Sequence, residues 1–123
     1  MNLEGFKKYN IDPVAKPRMT KRDVWKKRPV VMKYRAFCDQ CRALGVYIPA
    51  SGSTIYFIIP MPASWSKKKK LEMNDRPHQQ TPDLDNLLKA VLDAIYAQDN
   101  TVWDVHVKKR WGYEGAICVS ALE

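Results

Sequence analysis

Between residues 84 and 95, Leu84, Leu87, Leu88, Val91 and Ile95 recur at the i, i+3, i+4, i+7, i+11 spacing of one face of an amphipathic helix. The pattern ends near Ala97, and at its other end Pro82 suits a first helical turn and Asp83 a cap. An earlier helix is expected from Pro29, with Val31, Tyr34, Phe37 or Cys38, Cys41 and Leu44 on one face and Gly45 as its stop. SGSTIYFIIP (51–60) is β-branched and aromatic and is bounded by Gly52 and Pro60, so it reads as a strand. MPASWSKKKKLEM then reads as a helix opened by Ser64 or Ser66. Residues 74–81, with Pro77 and His78, read as a loop, and strands are expected near 101–109 and 116–122. Along residues 1–18 the alternation is too weak to fix a first strand.

Helix, strand, helix, helix, strand, strand is the order of a two-layer α/β (α+β) domain, with helices packed on a mixed or antiparallel sheet. At 123 residues, with no internal repeat, low-complexity tract or linker, the whole span 1–123 reads as one domain. The apolar face of the first helix also absorbs the Cys38-x-x-Cys41 pair, which therefore reads as two small core residues. A redox or zinc role fits less well, because Cys118 is distant and His78 and His106 stand at no ligand spacing. Trp25, Trp65, Trp103 and Trp111 read as core or interface anchors, and Trp103, in an expected strand, as the most buried.

Charge changes this picture. A formal net charge of +8 and a pI near 9.5 imply an acidic partner, of which nucleic acid is the commonest. No apolar run approaches the roughly 20 residues of a membrane span, and no signal-peptide core is present, so a cytosolic location without membrane contact is expected. Basic residues cluster at Arg18, Lys21 and Arg22, at Lys67, Lys68, Lys69 and Lys70 after Trp65, and at Lys108, Lys109 and Arg110 beside Trp111. Each cluster is either a solvated face or a track for backbone phosphates.

Within this basic background the helix from Leu84 opens on acids. On a helix, residues two apart point roughly 200° from each other, so Asp83 and Asp85 converge on one ion only if Asp83 lies in the non-helical lead-in. Asp85, Lys89 and Asp93 follow along one polar stripe, and Asp99 stands just past the helix end. The bland alternative makes Asp83 a cap and the stripe a solvated ion-pair ladder. Such a ladder contributes only about 0.3–0.5 kcal/mol per pair and leaves Asp99 unexplained. Asp83, Asp85 and Asp99 are the candidate oxygen ligands for Mg²⁺ or Mn²⁺. Lys89 either stabilises charge on a phosphate or pairs with Asp85 or Asp93, and spacing does not separate the two. Asp93 reads as structural, and Asn86 either orients Asp85 or is a plain helix-start residue.

PDLDNLLKAVLDAI resembles the signature helix of the RusA family of Holliday junction endodeoxyribonucleases, often carried by phages and prophages. KPRMTKRDVWKKRPVVMKYR, PMPASWSKKKK and the strand after Asp99 that ends in HVKKRW resemble phage-type members in the same order, so the likeness spans nearly the whole chain. The resemblance implies a similar fold, a homodimer, branched four-way DNA as substrate and metal-dependent phosphodiester hydrolysis without a small-molecule cofactor. It puts metal-binding catalytic acids at Asp83, Asp85 and Asp99 and a functional lysine at Lys89. Gln98 and Asp99 stand where members often show adjacent acids, so Asp104 is the alternative third ligand. Two rivals remain. One is a basic nucleic-acid-binding module without catalysis; the other is a phosphatase or nucleotidyl transferase. The second fits poorly, because the haloacid dehalogenase pattern wants its Asp-x-Asp after an apolar strand and before a Thr, whereas HQQTP precedes and Asn86 follows here.

Overall fold

The computed structural model describes residues 3–18, 28–98 and 100–120. Its elements run β1 (Phe6–Tyr9), α1 (Pro29–Ala43), β2 (Ser53–Pro60), α2 (Lys67–Met73), α3 (Leu84–Ile95), β3 (Val105–Gly112) and β4 (Ala116–Ser120). The strands form one mixed sheet in the order β1-β4-β2-β3. β4 lies antiparallel to β1 and β2, and β2 lies parallel to β3. A parallel pair needs a crossover, and here residues 61–104, with α2 and α3, supply it. The expected two-layer α+β arrangement is what forms.

Alternation along the strands divides the sheet into two faces. Ile55, Phe57 and Ile59 of β2, Trp111 of β3, Ile117 and Val119 of β4 and Tyr9 of β1 share one core with Tyr34, Phe37, Cys38 and Cys41 of α1 and Leu87, Ala90 and Val91 of α3. The opposite face carries a smaller cluster of Ile58, Ala116 and Cys118, against which Leu3, Phe6 and Tyr56 pack. α2 buries none of its residues.

Local chemistry explains the helix boundaries. Pro29 occupies the first turn of α1, where its missing N–H costs nothing. At the other end Gly45 takes φ +66°. Its N–H donates to Arg42 O at 3.1 Å, and the Val46 N–H donates to Cys41 O at 3.0 Å, which closes the last turn as a Schellman motif. Ser66 opens α2, its side chain accepting from the Lys69 N–H at 3.1 Å. The Cys38, Cys41 and Cys118 thiols are free and buried. Burial, with Cys38 nearby, pushes the Cys41 thiol up to about 12, as suits a packing residue and not a reactive one. Among the described residues no helix is long and apolar enough to cross a membrane.

The first strand that the weak alternation left open does form, as β1 paired with β4, and three expectations need correction. Leu44 is 45% exposed, because it is the cap of α1 and not part of its buried face. Pro82 precedes the cap of α3 instead of entering its first turn, and the Thr81–Pro82 peptide is cis. Trp103 is 78% exposed. The strand begins only at Val105, so Trp103 belongs to the preceding loop, where its N–H donates to Ala50 O at 3.0 Å while the indole faces solvent.

Leu87, fully buried between α3 and the sheet core, and Leu71, 73% exposed on α2, make a matched pair. Leu87→Ala should lower the unfolding free energy by about 2–5 kcal/mol, while Leu71→Ala should stay within about 0.5 kcal/mol. Urea denaturation followed by tryptophan fluorescence reads both, and equal losses would contradict this packing.

Candidate functional site

The acidic end of α3 is built by the chain that leads into it. Residues 75–78 run along the outer edge of β3. The Asp75 N–H donates to Trp111 O at 2.9 Å, the Trp111 N–H to Arg76 O at 3.0 Å and the His78 N–H to Lys109 O at 3.0 Å, with a bridge between Pro77 and Arg110. The expected loop is what forms, and through this isolated bridge and these bonds it covers the sheet edge. Arg110 adds a bond from its guanidinium to Asp75 O at 2.8 Å. The Lys109 ammonium donates to Gln80 O at 2.7 Å and to Pro82 O at 2.8 Å. The next residue is Asp83.

Asp83 has φ −71° and ψ 143°, an extended conformation, and its carbonyl accepts from the Leu87 N–H at 3.1 Å to start the helix. Its carboxylate makes no capping bond. The condition for Asp83 and Asp85 to converge, a non-helical Asp83, is met, and the plain capping role is absent. Asp85 sits in the first turn, where one carboxylate oxygen accepts from the Asn86 N–H at 2.9 Å. Both aspartates are exposed at the positive end of the helix dipole.

Beside them lies an open cleft of about 470 Å³ lined by Lys16, Pro17, Arg18, Asn86 and Lys89. The Lys16 N–H donates to Asn86 O at 3.0 Å, tying the segment after β1 to α3. The Lys16 ammonium contacts the Asp93 carboxylate. Lys89 lies 3.6 Å from the other oxygen of Asp93 and is half-exposed. Asp93 is thus the partner of two lysines, as its structural reading expected. Lys16 escaped sequence reasoning because only the tertiary fold brings it to α3.

The third acid is a different matter. Asp99 lies outside the described residues, as do Lys21, Arg22 and Trp25. Asp104 precedes β3, where its carbonyl accepts from the Gly52 N–H at 3.0 Å. Lys109, which holds the chain next to Asp83, is five residues further along the strand, or roughly 17 Å at about 3.3 Å per residue. Among the described residues no three of His, Cys, Asp or Glu gather as a metal group, so the structure does not bring Asp104 to Asp83 and Asp85. The two uncapped carboxylates are hard oxygen donors of the kind Mg²⁺ and Mn²⁺ prefer, and to that extent the donor set fits.

The basic runs are distributed, not pooled. Lys108 and Arg110 lie on the face away from the helices, 5.5 and 5.6 Å from the Tyr56 ring. Lys109, between them, points to the helix side in register with Phe57. Period-two alternation separates what the sequence sets side by side. In α2, Lys67, Lys68 and Lys69 are exposed, and Lys69 stands 4.2 Å over the Trp65 ring. Trp65 packs on Trp111 with ring centres 4.8 Å apart, and His78 packs on the same indole at 4.3 Å.

His78 is 4% exposed, and among the described residues its Nδ1 has no hydrogen-bond partner. Burial, then the Lys109 charge, lowers its pKa below the ordinary 6.5. A base that the fold keeps neutral contributes stability above its unfolded pKa, and that contribution is lost as pH falls below about 6.5. Wild-type protein should therefore lose more thermal stability between pH 7.5 and pH 5 than His78→Asn, measured by calorimetry. Parallel pH curves for the two proteins would refute the assignment.

Comparison with known proteins yields one family. The model for the family described as Endodeoxyribonuclease RusA matches residues 10–120 of the 123. No curated protein and no solved structure matches the chain.

Proposed function

The chain belongs to the RusA endodeoxyribonuclease family, and from that premise we propose that it is a Mg²⁺-dependent endonuclease resolving four-way DNA junctions. It would act as a homodimer in the cytosol of a bacterial or phage-infected cell, in recombination, repair or the processing of branched phage DNA. The observation that carries the reading is the pair Asp83 and Asp85 at the start of α3, with Asp83 extended and uncapped beside a cationic cleft.

Asp83 and Asp85, joined by Asp99, would hold the divalent ion. When bound, such an ion polarises a water for attack and offsets charge on the scissile phosphate. The protein's own groups do the rest. Lys89 and Arg18 line one cleft next to the acids, so a phosphate seated there meets two cations as negative charge develops on it. Asp93, between Lys16 and Lys89, holds the Lys89 ammonium on the cleft side of α3. The exposed lysines of α2, with Lys21 and Arg22, and Lys108 and Arg110 on the far face, provide backbone-phosphate contacts away from the reacting centre. A four-way junction is two-fold symmetric, so a symmetric dimer would present one such site to each of two opposed strands.

The test uses a synthetic four-way junction and a matched linear duplex, each with Mg²⁺, Mn²⁺ or EDTA. Paired nicks are expected in the junction alone and only with metal. Asp83→Asn and Asp85→Asn should each lower the cutting rate by roughly 10²-fold or more while junction binding is kept or tightened, since a negative charge near phosphate is removed. Binding without cutting under every metal would make the chain a non-catalytic nucleic-acid-binding module.

A further inference from the structure

We infer that Lys109 is a positioning residue for Asp83, acting through the peptide that joins Pro82 to Asp83, and is not a DNA-backbone contact. The consequence for cutting rests on the nuclease reading above; the clamp itself does not.

Three observations converge on it. The first is register. β3 presents Val105, Val107, Lys109 and Trp111 to the helix side, and Lys109 is paired with the fully buried Phe57. A lysine in such a row must deliver its ammonium to polar partners, because an unpaired charge there would be costly. The second is what it reaches. Its Nζ donates to Gln80 O at 2.7 Å and Pro82 O at 2.8 Å, while its own carbonyl accepts from the His78 N–H at 3.0 Å. One residue of β3 therefore holds the approach to α3 at positions 78, 80 and 82.

The third observation concerns what is left to orient Asp83. Its carboxylate has no capping bond, so no side-chain contact with the helix amides fixes it. The peptide unit, however, is planar, and the carbonyl oxygen of Pro82 lies in one plane with the N and Cα of Asp83. Holding that oxygen fixes the plane from which the Asp83 side chain springs. Lys108 and Arg110 lie on the other face of the sheet, against the Tyr56 ring. Removing the ammonium should leave Asp83 in place chemically but loose in position, a loss of the scale seen when residues supporting a metal ligand are replaced.

The experiment compares wild type with Lys109→Met and Lys109→Arg. Amide hydrogen exchange without metal or DNA is read over residues 79–86. Mn²⁺ binding is followed by electron paramagnetic resonance, and kcat and KM are measured on the junction. For Lys109→Met, faster exchange confined to 79–86, weaker Mn²⁺ binding and a kcat reduced by about 10- to 100-fold at unchanged KM are expected, with Lys109→Arg restoring part of each. If Lys109→Met fails to fold, Lys109→Gln, a neutral donor, takes its place. Unchanged exchange overturns the inference, as does a preserved kcat with a raised KM and a salt dependence shallower by about one unit of slope, the mark of a lost phosphate contact. Wild type that cuts no DNA would refute the nuclease reading, and the exchange and Mn²⁺ measurements would still decide the clamp.

Discussion

The outer edge of β3 is the constraint on which the acidic site depends. An edge strand offers unpaired N–H and C=O groups that invite pairing, and here residues 75–78 take them up, with backbone bonds to Lys109 and Trp111 of 2.9 to 3.0 Å. The same bonds that close the edge set where the chain stands when it turns into α3. β3 is itself fixed by eight register pairs with β2, and β2 lies in the middle of the core between β3 and β4. The location of Asp83 and Asp85 therefore descends from core packing through a short run of hydrogen bonds.

A basic protein that gathers acids at one point must keep its own cations from neutralising them. The fold does so by sorting. Asp93 occupies Lys16 and Lys89 one side of the helix away from its start. Lys108 and Arg110 are turned to the opposite face of the sheet against Tyr56. Lys109 is turned inward, but its ammonium donates its hydrogen bonds to the carbonyl oxygens of Gln80 and Pro82. Asp83 and Asp85 remain exposed. A net charge of +8 thus raises the field felt by an acidic partner over the whole surface and leaves the two carboxylates open.

The sequence was most informative where burial follows a simple period. α1, β2 and α3 were legible because their apolar residues repeat at the helical or strand spacing over eight to fifteen residues. β1 was not, since four residues, FKKY, with two lysines among them, carry no periodic signal and gain strand structure only by pairing with β4. Trp103 misled because an aromatic residue beside a true strand looks like its continuation; the chain bends through an exposed loop and turns regular only at Val105. At the site, spacing set an extended Asp83 as the condition for convergence with Asp85, and the structure meets it, while the Lys16–Asp93 contact links positions far apart in the chain and had no local signature. His78 was likewise invisible, because it packs on the ring of Trp111, which is far from it in the chain.

Lys109 falls between these cases, because its signal was present and easily misread. In VHVKKRW the residues at 105, 107 and 111 are Val, Val and Trp, and period two demands that 109 share their face. Read as a composition, Lys108, Lys109 and Arg110 make a patch; read as a strand, the middle one violates the apolar pattern. Local stability gives no reason for that violation, since a buried or half-buried charge is commonly no better than an apolar residue of similar size. Sequences break local rules mostly where function holds them. The lysine that breaks the pattern of β3 is the one whose ammonium meets the carbonyl before Asp83, so the misfit in the sequence and the geometry of the site point to the same residue.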